Sequence, residues 1–121
     1  MDRSGLRLER LEVKRGDIVL AVVPSELGRP RPGVVVQADE LNKDLSTVFV
    51  CPISSDVQEK LSLRPTIEAE PSNGLRLRSQ IMTDKMVALR HDRIRQVIGR
   101  IDTETSQKLD RALLVVLGLA K

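Results

Sequence analysis

Arg15-Gly16-Asp17-Ile18-Val19-Leu20-Ala21-Val22-Val23, then Arg29-Pro30-Arg31-Pro32-Gly33, then Val34-Val35-Val36-Gln37 is the stretch that decides the fold. Asp17 to Val23 is a continuous apolar run between Gly16 and Pro24, of strand rather than helix length, and Val34 to Gln37 reads as a second strand. Between them sits a basic loop in which each arginine precedes a proline. A proline ring disfavours the helical region for the residue before it, so Arg29 and Arg31 are biased to extended backbone. Residues two apart in an extended segment share a side, so the two guanidinium groups are expected together at the mouth of a small β-fold. A planar, always charged guanidinium grips phosphate with two bonds at once. The stretch reads as a phosphate site.

The remaining pattern extends the same fold. Thr47 to Ile53 is rich in β-branched residues, with Pro52 near its end implying an edge or bulge. Thr66 to Glu70 alternates apolar and polar residues, and Pro71-Ser72-Asn73-Gly74 is a turn signal. Leu75, Leu77, Ser79 and Ile81 then alternate with Arg76, Arg78 and Gln80. Met86 to Leu89 and Val97 to Ile101 complete the strand set, with a single helical turn at His91 to Ile94. The one long helix is terminal. Asp102 or Thr103 caps it, Gly118 closes it, and Leu109, Ala112, Leu113, Val116 and Leu117 share a face. Leu114 and Val115 widen that face beyond what a lone surface helix needs. The expectation is a mainly β domain, a small, SH3-like, strongly bent antiparallel β-barrel with a terminal α-helix. Residues 1 to 14 read as an N-terminal arm, and 15 to 121 as the domain.

Composition narrows the function classes. The 121 residues are one domain by length, and 40% hydrophobic content supports a core. Fourteen arginines stand against six lysines, a bias that favours bidentate anion recognition, although a high-GC coding bias gives the same excess. With one cysteine, Cys51, inside an apolar run, and one histidine, His91, neither a disulfide nor a zinc or iron site is expected. No run reaches the roughly 18 to 20 apolar residues of a membrane span, and no signal peptide is visible. A cytoplasmic protein without metal or cofactor, and without a membrane partner, is expected. Phe49, the sole aromatic, is expected in the core, which leaves no aromatic ring for base stacking.

Taken in order, these residues resemble the MazF/PemK family of bacterial toxin endoribonucleases, which share a fold with the gyrase poison CcdB. The matching pieces are Arg15-Gly16-Asp17-Ile18, Arg31-Pro32 leading into Val34-Val35-Val36-Gln37, Val50-Cys51-Pro52-Ile53-Ser54-Ser55, Asp84-Lys85, Arg93-Ile94 with Val97-Ile98-Gly99, and the helix ending Leu117-Gly118-Leu119. The resemblance implies a type II toxin: a metal-independent, sequence-specific endoribonuclease acting on single-stranded RNA such as mRNA. It also implies a homodimer and an acidic cognate antitoxin. It assigns Arg31 to proton transfer and phosphate stabilisation, Ser54 to the scissile phosphate in place of the usual threonine, and Asp84 to the family's acid. Lys85 stands where the family often has glutamine, and Val87 where it has arginine, so Lys85 would supply positive charge from another position. Catalytic roles therefore fall to Arg31, Ser54 and Asp84, and RNA binding to Arg29, Lys85 and Arg78.

The chemistry is coherent by itself. RNA cleavage needs no metal when its own 2′-hydroxyl attacks the adjacent phosphorus and the protein supplies proton transfer and donors for the charged transition state. Two other classes fit the pattern less well. A CcdB-like gyrase inhibitor needs an aromatic C-terminal tail, and the chain ends Gly118-Leu119-Ala120-Lys121 with no Trp. A non-catalytic RNA-binding barrel gives no reason for Ser54 and Asp84. His91, among Arg90, Asp92 and Arg93, reads as an exposed turn rather than a general base.

Overall fold

A computed structural model describes residues 11–24, 28–60 and 62–120. Among these residues seven strands and two helices follow in order: β1 Asp17–Val22, β2 Pro30–Val35, α1 Asp39–Asn42, β3 Thr47–Ser54, β4 Thr66–Ile67, β5 Ser79–Ile81, β6 Val87–Arg90, β7 Ile94–Arg100 and α2 Thr103–Val116. All strand pairs are antiparallel, in the order β4-β5-β3-β2-β1-β7, with β6 also on β3. The long β3 gives Thr47–Val50 to β6 and Ile53–Ser54 to β5, so one strand serves two partners on the same edge. The sheet curls into a half-barrel with the C-terminal helix α2 added to it, as expected.

The apolar runs are continuous because both faces of the curled sheet are covered. Successive strand residues point to opposite faces. Ile18, Val34 and Cys51 join Leu109 and Leu113 of α2 in one core. Their neighbours Val19, Val35 and Val50 join Val48, Leu89 and Ile94 in a second. Val13 is buried in that second core, while residues 1–10 of the expected arm lie outside the described residues. Arg15 ties these parts together. Its backbone N–H donates to Asp39 of α1 at 2.6 Å, and its guanidinium pairs with Asp110 of α2 at 2.9 Å.

The arginine segment is strand, not loop. Pro30, Arg31 and Pro32 pair with Val22, Ala21 and Leu20 of β1, whereas β3 pairs only with Gly33–Val35. Both prolines thus lie where β2 has left the β3 ladder, and their missing N–H groups cost no bond to β3. Gly33 makes the last rung possible: a Cβ there would stand 2.5 Å from Val50 Cγ1 and 3.2 Å from the Cys51 carbonyl oxygen. Beyond that rung β2 and β3 part.

Four sequence expectations are corrected. The alternating segments after Thr66 and Leu75 shrink to the two-residue β4 and three-residue β5, because Asn73 ties the intervening turn to Glu68, Glu70 and Leu75. The four-residue α1 was not foreseen; Ala38–Asn42 is too short to show a helical period. Phe49 is 44% exposed, because the strand alternation gives the buried side to Val48 and Val50. On α2, Leu117 lies 53% exposed beyond the last helical residue instead of joining Leu109, Ala112 and Leu113. The ends of that helix are as expected. The Asp102 carboxylate accepts from the Thr105 N–H at 2.7 Å, and Gly118, at φ 75°, lets Leu119 N–H reach the Leu114 carbonyl at 2.8 Å.

Candidate active site

Where β2 and β3 part, a cavity of about 1050 Å³ opens. Arg31 and Pro32 line one side, and Pro52, Ile53, Ser54 and Ser55 line the other. Gly74, Leu75, Arg76 and Leu77 form a rim from the β4–β5 turn, Met82 and Lys85 come from the segment before β6, and Val87 opens β6 itself. Arg31, Arg76 and Lys85 make three cations, with hydroxyls from Ser54, Ser55 and Ser79 and the Gln96 amide, and no carboxylate among the described residues lines the space. A concave surface with clustered cations focuses positive potential.

Register and short-range hydrogen bonds position each polar side chain. Arg31 is held opposite Ala21 by the β1–β2 ladder. Ser54 ends β3 opposite Gln80, and its Oγ accepts the Asp56 N–H at 3.1 Å, which leaves the hydroxyl proton to donate. Lys85 ends a 3-10 turn, Thr83–Lys85, pinned from two sides. The Met82 N–H donates to the Pro52 carbonyl at 2.8 Å, and the buried Thr83 hydroxyl donates to the Leu63 carbonyl at 2.6 Å.

The structure brings three of the six expected site residues together and places three elsewhere. Arg31, Ser54 and Lys85 share the cavity. Arg29 is exposed and does not line it. Arg78 is drawn outward by Glu68 at 3.0 Å and Glu59 at 3.8 Å. Asp84 also stands off the lining, engaged by Arg64 through two bonds of 2.8 Å. That guanidinium holds the Asp84 carboxyl below the usual carboxylate value. Arg76 and Gln96 were not expected in the site. The sequence displays the Asn73-Gly74 turn just upstream of Arg76, but that turn precedes Arg78 equally and does not single out Arg76.

Two reactive side chains lie apart. Cys51 is fully buried, and burial pushes its thiol up to about 12, far from nucleophilic. The His91 Nε2 lies 3.0 Å from the Leu45 carbonyl oxygen, and the ring does not line the cavity. Among the described residues no three His, Cys, Asp or Glu side chains converge as a metal-binding group. No helix there is long and apolar enough to cross a membrane.

Fold and cavity together define a small curled-sheet domain with a cationic cleft and a terminal helix. Residues 14–117 match the family described as the PemK-like, MazF-like toxin of type II toxin-antitoxin systems. A probable endoribonuclease MazF of Mycolicibacterium smegmatis is 35% identical over 109 residues, covering 89% of this chain and 99% of its own. Endoribonuclease EndoA of Bacillus subtilis is 34% identical over 112 residues, covering 88% and 96%. Among solved structures, the Mycobacterium tuberculosis toxin MazF-mt6 superposes with a TM-score of 0.75 at 21% identity, covering 87% of this chain and 99% of its own. A mycobacterial endoribonuclease solved with its cognate antitoxin gives 0.75 at 18% identity, covering 90% and 98%. The chain belongs to the MazF-like toxin family of type II toxin-antitoxin systems.

Proposed function

We propose that this toxin is a sequence-specific endoribonuclease that cleaves single-stranded RNA, such as mRNA, without a divalent metal. The observation that carries this reading is Arg31 and Ser54 lining one cationic cavity with Lys85. In the reaction the substrate's 2′-oxygen bonds to the adjacent phosphorus and the bond from phosphorus to the 5′-oxygen breaks. The 2′-hydroxyl loses its proton and the 5′-oxygen gains one, leaving a cyclic phosphate and a 5′-hydroxyl. Arg31 places two charge-assisted donors on the phosphoryl oxygens as charge builds there, and the Ser54 hydroxyl adds a neutral one. Asp84, committed to Arg64, holds the turn that carries Lys85 rather than accepting the 2′-proton. The 35% and 34% identical relatives are named endoribonucleases, which supports the same activity here.

The working form is a homodimer inhibited by an acidic antitoxin, in this reading. Leu114, Val115, Leu117 and Leu119 expose 42%, 40%, 53% and 71% of their surface at the end of α2, apolar area that a second copy can cover. An acidic segment would compete with RNA for the cationic cavity. The test incubates purified protein with a long RNA in EDTA and maps the new ends. Discrete cuts with 5′-hydroxyl ends are expected; cleavage that starts only on adding magnesium contradicts the mechanism.

A further inference from the structure

Arg76 and Arg78 stand two apart beside the same turn, yet only Arg76 lines the cavity. Glu68 and Glu59 draw Arg78 to the surface, while no carboxylate among the described residues forms an ion pair with Arg76. The turn before Arg76 is fixed from within. Asn73, 3% exposed, accepts the N–H groups of Glu70 and Leu75 at 3.1 and 3.0 Å and donates to the Glu68 carbonyl at 2.7 Å. Gly74 has φ 74°, and a Cβ there would meet the Ile98 carbonyl oxygen at 2.4 Å, so the turn lies against β7. A guanidinium on so constrained a turn loses little backbone freedom when it engages an anion.

The cavity, at about 1050 Å³, exceeds the need of one phosphate, and its three cations come from separate segments. We propose that Arg76 binds an uncleaved phosphate of the RNA, next along the strand from the one Arg31 serves. The inference rests on the RNA-cleavage reading and assigns Arg76 to binding rather than to bond breaking. An unreacting phosphate is held equally in ground and transition states, so its loss raises KM and leaves kcat alone.

The experiment compares the protein with Arg76→Gln and Arg76→Lys on a short RNA spanning a mapped cut. The same RNA, with a 2′-deoxy sugar at the attacking position, serves for binding. Arg76→Gln should raise KM with kcat within about twofold, and lower the slope of log affinity against log salt by about 0.7. Arg76→Lys should keep the wild-type slope. An unchanged KM and slope in Arg76→Gln overturns the assignment while leaving the cleavage reading standing, as does a fall in kcat alone. Absence of RNA cleavage by the unsubstituted protein overturns both.

Discussion

Arg64 grips Asp84 with two parallel hydrogen bonds of 2.8 Å, Nε to one carboxylate oxygen and Nη2 to the other. The Arg64 side chain is 10% exposed and that of Asp84 is 46% exposed, so the pair straddles the surface. Together with the Thr83–Leu63 bond it fastens the 3-10 turn that ends in Lys85. The acid that the family resemblance assigns to catalysis is thus paired with an arginine outside the cavity lining.

This pairing sets an acid limb in stability. The Asp84 carboxyl lies below its ordinary 3.8, first because Arg64 hydrogen-bonds its charged form. Its contribution is present above 3.8 and is lost as pH falls through the depressed folded value. Arg64→Met should therefore lower the urea midpoint near neutral pH, and the gap to the unsubstituted protein should close in acid. A gap that persists undiminished at the acid end would place its origin elsewhere.

Cys51 should resist alkylation in the folded protein at neutral pH and react fully on unfolding, because burial holds its thiol near 12. Folded protein keeps the thiol protonated where the unfolded chain, at the ordinary 9.0, has ionised. That stability is complete below 9.0 and is lost as pH rises through about 12. Rapid labelling of native protein by iodoacetamide would show an open core at β3.

Gly99→Ala should destabilise and also slow cleavage. Its Cβ would stand 2.4 to 2.6 Å from three backbone atoms of Asn73, which cannot yield as a flexible side chain can. Overpacking of this kind costs about 1 to 3 kcal/mol. Because Asn73 organises the turn that carries Arg76 to the cavity, RNA affinity should fall with stability. A variant of unchanged thermal midpoint and unchanged KM would refute the link between β7 and the cavity rim.

Ser54→Ala should cost less activity than removing Arg31, since a neutral hydroxyl bond is weaker than a charge-assisted one. Ser54→Thr should act almost as the parent does, the hydroxyl being retained. Initial rates for the three variants give the order directly, and a larger loss at Ser54 would shift the main phosphate contact to β3.

The fold was legible where burial is two-sided or helix ends are explicit. Ile18 and Val19 face different cores, which wrote β1 as an unbroken apolar run, and Asp102 and Gly118 marked α2 at both ends. The region around Arg76 was not legible. The alternation of Leu75 and Leu77 looks like a strand, but Leu77 is 63% exposed at the cavity rim. Nothing local distinguishes Arg76 from Arg78; the carboxylate that diverts Arg78 lies ten residues away. The partner of Asp84 lies twenty residues away, across a fold that local pattern does not describe. Arg31 was legible because its prolines constrain it locally, whereas the cavity beside it depends on where β2 leaves the β3 ladder.

The most direct measurement is the single-turnover cleavage rate of Arg31→Ala against the unsubstituted protein, on one mapped RNA site, in EDTA. With the fold intact by circular dichroism, a fall of at least about 10² is expected from loss of one preorganised, charged donor at the phosphate. A rate unchanged in that variant would contradict the placement of the chemistry at the parting of β2 and β3.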